Sequence, residues 1–469
     1  MYTSFPASHM SLFENILIFL VILNLYFLLV LTLKKRGVLK KYNISLWGPA
    51  LMWRTERGKR LIEKIAQKKR RFWIYYANIG IGICFVLMIL MLWLLISILP
   101  VTLQTRDTIA SSHPQIIIGI PVINPIIPLG YGILGLLVAL IVHEFSHGIL
   151  SRAGKLKIKS LGILYFIVPI GAFCEPDEEE LKKTRTMNRI RIYAAGPTSN
   201  IVTALICMAL ISIMITTMVQ PAANGVGIYS VASDTPAEEI DLKQGMIITY
   251  INGTQIHDVE DFYKAMNNTM ANQSIKITLI YRHTVFTKNV TLIDKYDVYM
   301  KHYDIKNTSL IEQFKGKGYL GVGTSTFFKR DLVFLKNPFI SMPISFLYYL
   351  SLPLIGFLEG YNPINTPFSD FYIINGFVPE NLFWIIINSL YWIFWINFMA
   401  ATFNVLPMIP LDGGYMFRDT LDSFIKRIKK DISHEKREKI TRGISTIVSL
   451  LILILVLSPI LIPNLRGLF

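Results

Sequence analysis

Residues 129–150 read LGYGILGLLVALIVHEFSHGIL. The first fourteen carry no charge, and His143, Glu144 and His147 then follow within the same apolar run. A helix needs roughly 20 mostly apolar residues to cross a bilayer, so the stretch reads as a span. Residues i and i+4 share one helical face, so both imidazoles can reach one metal ion. Glu144 stands beside them, where a carboxylate can take a proton from metal-bound water. Ionisable side chains inside a span are costly and by default mark a function. The plainer alternative is a histidine pair hydrogen-bonded in a helix bundle, with Glu144 at the interface.

Composition agrees with a membrane reading. Of 469 residues, 52% are hydrophobic and 17% charged, against roughly 25% charged in a soluble domain. Mean hydropathy is +0.47. This excludes a disordered, fibrous or ordinary cytosolic chain and implies several spans with one modest soluble part. Further apolar runs are Ile16–Leu33, Phe72–Leu99, Ile190–Val219, Leu382–Val405 and Ile444–Leu461. Phe339–Leu358, broken by Pro343 and Pro353, reads as re-entrant or interfacial. No basic residue precedes Ile16, so the first run reads as a retained span rather than a cleaved signal.

The net charge of +16 does not point to nucleic acid, because the basic residues sit in short blocks beside apolar runs. Residues 34–71 carry fourteen Lys/Arg against Glu56 and Glu63, which assigns that loop to the cytoplasm and the N-terminus outside. The stretches Arg152–Arg191 and Arg418–Arg442 are also basic. Residues 101–128 hold only Arg106 and Asp107, and 359–380 hold no Lys or Arg. Alternation then places 221–380 outside. Asn-x-Ser/Thr triplets at Asn252, Asn267, Asn272, Asn289 and Asn307 fall there, though Asn43 begins one inside. Cys84 and Cys207 lie in apolar runs, and with Cys174 they form no CxxC pair or disulfide framework.

Two histidines leave a catalytic zinc one protein ligand short. Residues Asn404–Gly414 read NVLPMIPLDGG at the end of the Leu382–Val405 run. Asp412 reaches the same face as His143 and His147 and is the natural third ligand. Its alternative is a helix-end carboxylate facing water. Gly413 and Gly414 allow a sharp turn and close backbone approach. Pro407 and Pro410 break the helix, which suits backbone lining a cavity or packed on protein.

Residues 221–336 change character, with balanced charge, short alternating runs and turn signals. Strands are expected at Gly225–Val231, Met246–Ile251 and Ile275–Tyr281. A short helix starts at Thr235, a second covers Asp258–Asn267, and Asn252-Gly253 is a hairpin-type turn. The order in SVASDTPAEEIDLKQGMIITYINGTQI, closed by Gly321-Val322-Gly323, resembles a PDZ domain, although Met246 stands where such domains often carry Asp. That resemblance implies pairing with an extended peptide; the plainer alternative is a steric lid.

HEFSH in one span, AAGPTSN at Ala194–Asn200 opening the next, this insert and NVLPMIPLDGG together resemble the site-2 protease family over roughly residues 129–463. These are intramembrane zinc metalloproteases. The GAFCEPDEEE stretch and the position of the insert look most like archaeal and eukaryotic-type members. The resemblance implies His143, His147 and Asp412 as Zn2+ ligands and Glu144 as general base. It implies that Asn404 holds the scissile carbonyl or its oxyanion, against an interhelical hydrogen bond as alternative. Asn200 matches a Gly-Pro-x-x-Asn pattern that supports the site or the substrate, against a packing role as alternative, with Gly196 and Pro197 in helix packing. Ile158–Phe173 matches a membrane-embedded β-hairpin whose edge pairs with substrate. The acidic run Glu175–Glu180 reads as a solvated turn.

The expected fold is an α-helical multi-pass membrane protein with an inserted α+β PDZ-like domain. It divides into N-terminal spans and a basic loop (1–105), a first half of the catalytic core (124–220), the external domain (221–336), the re-entrant or interfacial segment (337–380) and the second half of the core (381–469). The expected partners are transmembrane protein substrates and the lipid bilayer, with the active site near the cytoplasmic side of the cell membrane. One rival is an inactive scaffold or substrate-binding regulator of the same fold. A zinc transporter is another, but it would want polar residues along several spans and His-rich loops, and the eight histidines are scattered.

Overall fold

The computed structural model describes residues 12–466, apart from 49, 56, 105–113, 118, 120, 122, 167, 303–310 and 341. Arg106, Asp107 and the Asn307 triplet lie outside the described residues. Among the described residues five helices are long and apolar enough to cross a membrane: Arg70–Gln104, Leu129–Ala153, Thr186–Met218, Glu380–Asn404 and His434–Asn464. Each matches one of the apolar runs, although Val219 and Val405 fall one residue past the ends of their helices. The Ile16–Leu33 run lies in a further helix, Leu12–Lys35. Helix Ile344–Glu359 has 16 residues, and at about 1.5 Å per residue it is shorter than a hydrocarbon core of about 30 Å.

The chain forms two compact units. The first comprises residues 1–124, 128–204 and 396–469. Its sheet has four antiparallel strands in the order β1 (Ile44–Trp47), β2 (Ala50–Arg54), β3 (Ile158–Phe166) and β4 (Val168–Pro176). The hairpin expected over 158–173 is therefore β3–β4, running on to Pro176. The basic stretch 34–71 is more than a loop. It supplies β1, β2 and the amphipathic helix Arg57–Lys68. Ile62 and Ala66 of that helix are fully buried against the Leu129–Ala153 helix and the sheet. A Cβ at Gly148 would stand 2.8 Å from Ile62 Cδ1 and 2.9 Å from Cys174 Sγ, so the helix carrying the histidines is backed closely from behind. Glu63 pairs with Arg152 at the end of that helix, and this hydrogen bond holds the Glu63 carboxyl below its ordinary range. The acidic run is not simply solvated. Asp177 caps helix Glu178–Lys183 by accepting from Glu180 N at 3.0 Å, and Glu180 accepts from Lys157 N at 2.8 Å.

The second unit comprises residues 125–127 and 205–395. Its main sheet runs Thr284–Thr291, Ser274–Tyr281, Ile247–Ile251, Val226–Val231, Val322–Ser325, all antiparallel. Val226, Ile228, Ile248, Phe262, Ile277 and Leu279 make its core. Asn252 and Gly253 take φ of 50° and 82°, the turn expected of Asn-Gly. Asp258 caps helix Val259–Asn267 through Asp261 N. This is the inserted PDZ-like α+β domain, and Val322–Ser325 closes it against Val226–Val231. The sequence reading missed the helices Lys295–His302 and Phe327–Lys336.

Candidate active site

His143 and His147 lie one turn apart on helix Leu129–Ala153, their ring centroids 4.8 Å apart at 75°. Asp412 is the first residue of helix Asp412–Ile428. Its Oδ2 stands 3.0 Å from His143 Nε2 and 3.4 Å from His147 Nε2. The three ligand atoms lie within 4.8 Å of one another. Ligands about 2.0–2.1 Å from a tetrahedral zinc stand about 3.3 Å apart, which the two Asp412–imidazole separations match.

Proton bookkeeping gives an independent test of that fit. His147 Nδ1–H donates to Ile192 O at 2.7 Å, which leaves the Nε2 lone pair facing Asp412. Asn200 lies on His143 Nδ1 at 3.3 Å. The Asn200 Oδ1 is buried without a partner, and a half turn of the amide lets it accept from His143 Nδ1–H. Asp412 Oδ2 is also buried and accepts no hydrogen bond. With both imidazoles neutral in these tautomers, two Nε2 lone pairs and a carboxylate converge on one point. A cation satisfies all three.

The backbone leaves room for that cluster. A Cβ on Gly196 would stand 2.5 Å from His143 Nε2 and 2.6 Å from His147 Nε2. Gly196 was expected to serve helix packing, yet it forms the wall facing both rings. Across the cluster, Cβ atoms on Gly413 and Gly414 would collide with the backbone of Val405 and of Met408–Ile409. The Pro407–Pro410 loop therefore folds directly onto the first turn of Asp412's helix, as the paired glycines implied.

Glu144 points toward the sheet. Its Oε2 accepts from Cys174 N, in β4, at 2.8 Å. Leu161, opposite Cys174, directs its carbonyl to Thr55 N at 2.9 Å, so the pair is of the non-hydrogen-bonded kind and Cys174 N–H faces away from β3. β4 is an edge strand of its sheet. Asn404 ends helix Glu380–Asn404, and its amide donates back to Ala400 O at 3.0 Å.

Sequence reasoning missed one further tie. Arg189 Nε donates to buried Asp419 Oδ2 at 2.6 Å, and Tyr193 stacks on Tyr415 at 5.3 Å. Arg189 lies seven residues before Gly196, and Asp419 seven after Asp412. The pair locks the helix carrying Asp412 to the helix that carries Gly196. The two residues are 230 positions apart in the chain, so no local pattern links them.

A His-Glu-x-x-His helix facing an aspartate, in a protein of several apolar spans, defines a membrane metallopeptidase. The model of peptidase family M50 matches residues 131–454, and the chain belongs to that family. The likeness to site-2 proteases is borne out. An uncharacterised protein of Methanocaldococcus jannaschii is 26% identical over 78% of this chain and 75% of its own length. A Clostridium acetobutylicum protein, described as a candidate zinc metalloprotease, is 24% identical over 60% of this chain and 82% of its own. Among solved structures, the PDZ domain of the SdrC-like protein from Listeria monocytogenes is 20% identical. It covers 22% of this chain and 88% of that domain, with a TM-score of 0.17.

Proposed function

We propose that this peptidase cleaves transmembrane proteins within the bilayer, with zinc held by His143, His147 and Asp412. The convergence of three ligand atoms beside Glu144 carries the reading. Zinc bound there would supply Lewis acidity, polarising a carbonyl and activating water near neutral pH. The Glu144 carboxylate would accept a proton from the attacking water and give it to the leaving nitrogen. The Cys174 N–H aims the carboxylate, Asn200 orients His143, and Gly196 keeps the space clear. Asn404 serves the oxyanion once its amide leaves Ala400 O.

A substrate helix buries its carbonyls in its own hydrogen bonds, so it must unwind before attack. The outward edge of β4 offers replacement partners, starting beside Glu144. In the proposed topology residues 34–71 face the cytoplasm and 221–380 face outside. The domain divisions read from the sequence apply, with 221–336 as a filter on substrates. Its groove favours peptide capture over a bare steric lid. A cavity of about 210 Å³ lies beside helix Val259–Asn267 and the Val322–Ser325 strand, lined in part by Phe262, Met266, Lys295 and Lys317.

The deciding test is Glu144→Gln. It should keep one zinc per chain while cleavage of a transmembrane substrate falls by about 10²–10⁴-fold. Cleavage near the wild-type rate would remove Glu144 from the mechanism. A wild-type chain that binds zinc and cuts nothing would favour the scaffold reading instead.

A further inference from the structure

Three span ends meet at a second cleft, away from the metal cluster, in the first unit. Helix Arg70–Gln104 begins there, helix Leu129–Ala153 ends there, and helix Thr186–Met218 begins there. The cleft holds about 30 Å³ and is lined by Arg70, Ile74, Leu150, Asn188 and Arg191, with no acidic side chain. Water needs about 10–15 Å³ of such space, so this one takes a pair of phosphoryl oxygens rather than a whole headgroup.

The two guanidiniums are set in place and only partly used. Arg70 Nε donates to Ala153 O at 2.7 Å. Arg191 donates from Nε to Asn78 Oδ1 and from Nη1 to Asn188 Oδ1, both at 2.8 Å. Among the described residues this leaves both terminal nitrogens of Arg70 and one of Arg191 for an anion. Lys68, Lys69 and Arg71 extend the positive surface beside them. On the same helix, Tyr75 and Ile79 are exposed apolar positions leading into the span.

We infer that this cleft binds the phosphate of an anionic phospholipid, with the acyl chains along the exposed face of helix Arg70–Gln104. Guanidinium forks suit phosphate oxygens, and basic recesses between span ends are where anionic headgroups settle. A zwitterionic lipid would bring an ammonium that finds no carboxylate partner in the cleft. The site is linked to the metal cluster through one peptide unit. Arg191 precedes Ile192, whose carbonyl fixes His147 Nδ1. Occupancy therefore steadies a metal ligand and raises turnover. The binding stands without the proposed function, whereas the effect on turnover rests on it.

The full chain in mixed micelles, examined by native mass spectrometry, should retain phosphatidylglycerol and release phosphatidylcholine. Arg191→Gln should weaken retention about fivefold, as expected for one surface cation near a headgroup. Asn188→Asp keeps the acceptor for Arg191 but adds a negative charge, and should weaken it comparably with zinc content unchanged. In the wild type, kcat should rise with the phosphatidylglycerol fraction; in Asn188→Asp it should not. Equal retention of the two lipids, or undiminished retention in both variants, overturns the site. Displacement of the lipid by inorganic phosphate at equal concentration reassigns it to a free anion and overturns the lipid reading. Lipid binding without any response in kcat overturns the coupling to His147 and leaves the site.

Discussion

Asp412 in the first unit and Asp331 in the second are both withdrawn from solvent, and their surroundings could hardly differ more. Asp331, fully buried, accepts from the Tyr361 hydroxyl at Oδ2 and meets Arg330 Nη2 at Oδ1, 3.3 Å away. Every lone pair that matters there has a proton directed at it. Asp412 Oδ2 has two imidazole nitrogens at 3.0 and 3.4 Å, one of which has already committed its proton elsewhere. A buried carboxylate surrounded by donors is structural, because leaving it unpaired would cost several kcal/mol. A buried carboxylate facing imidazole nitrogens needs a positive charge beside it, either a metal ion or a proton on an imidazole. The donors around each group, rather than burial itself, separate the two roles.

Exchanging each residue for alanine is the strongest way to break that contrast. Asp412→Ala should abolish cleavage and lower zinc content well below one per chain, while the apo protein melts close to the wild type. Asp331→Ala should do the opposite. It strands the Tyr361 hydroxyl, while half-exposed Arg330 turns to water, and should lower stability by about 1–3 kcal/mol, with zinc per folded chain unchanged. Zinc analysis and thermal melts in detergent read both. A zinc-loaded, active Asp412→Ala would end the ligand assignment.

Gly196→Ala sharpens the comparison at smaller amplitude. The new Cβ would press on both imidazole Nε2 atoms, so the rings must turn away. Zinc affinity should fall by about 10–100-fold, the usual effect of disturbing a group that orients metal ligands. Gly443→Ala is the control, since a Cβ there meets nothing within 4 Å. Equal zinc affinity in both variants would mean that Gly196 serves only to pack helices.

These sites were unequally legible in the sequence. HEFSH and LDGG could be read because their chemistry depends on short spacings, i to i+4 in one and a double glycine beside an aspartate in the other. The PDZ-like order was legible for a similar reason, since Asn252-Gly253 and Asp258 are local turn and cap signals. The strands Ile44–Trp47 and Ala50–Arg54 were hidden inside a stretch whose fourteen cations read as a loop. β1 pairs only with β2, and the other partner of β2, β3, lies more than 100 residues on. Asn404 is a different case. Its position matches a pattern, and spacing cannot reveal that its amide donates within its own helix, to Ala400 O. Gly196 was noticed as a packing residue without a named neighbour, because a glycine in a helix does not announce which face it opens.

The smallest expected effect is a pH dependence carried by Asp331. Burial raises its carboxyl above the ordinary range, outweighing the hydrogen bond from Tyr361 and the nearby Arg330. Tyr229 and Tyr361 are themselves pushed up by burial and stay neutral here, while Arg330 stays charged. The folded state therefore binds a proton that the unfolded chain has released, over the window from about pH 4 to the raised value. Where the native state holds more protons, stability falls as pH rises. The melting midpoint of the apo protein should thus drop across that window. Asp331→Asn keeps an acceptor for Tyr361 and removes the titration, so its midpoint should drop less steeply there. Using the apo protein keeps zinc release from Asp412 and the histidines out of the reading. Identical slopes for the two proteins would show that Asp331 stays ionised throughout, held by Arg330 as a buried ion pair rather than as a carboxyl tuned by burial.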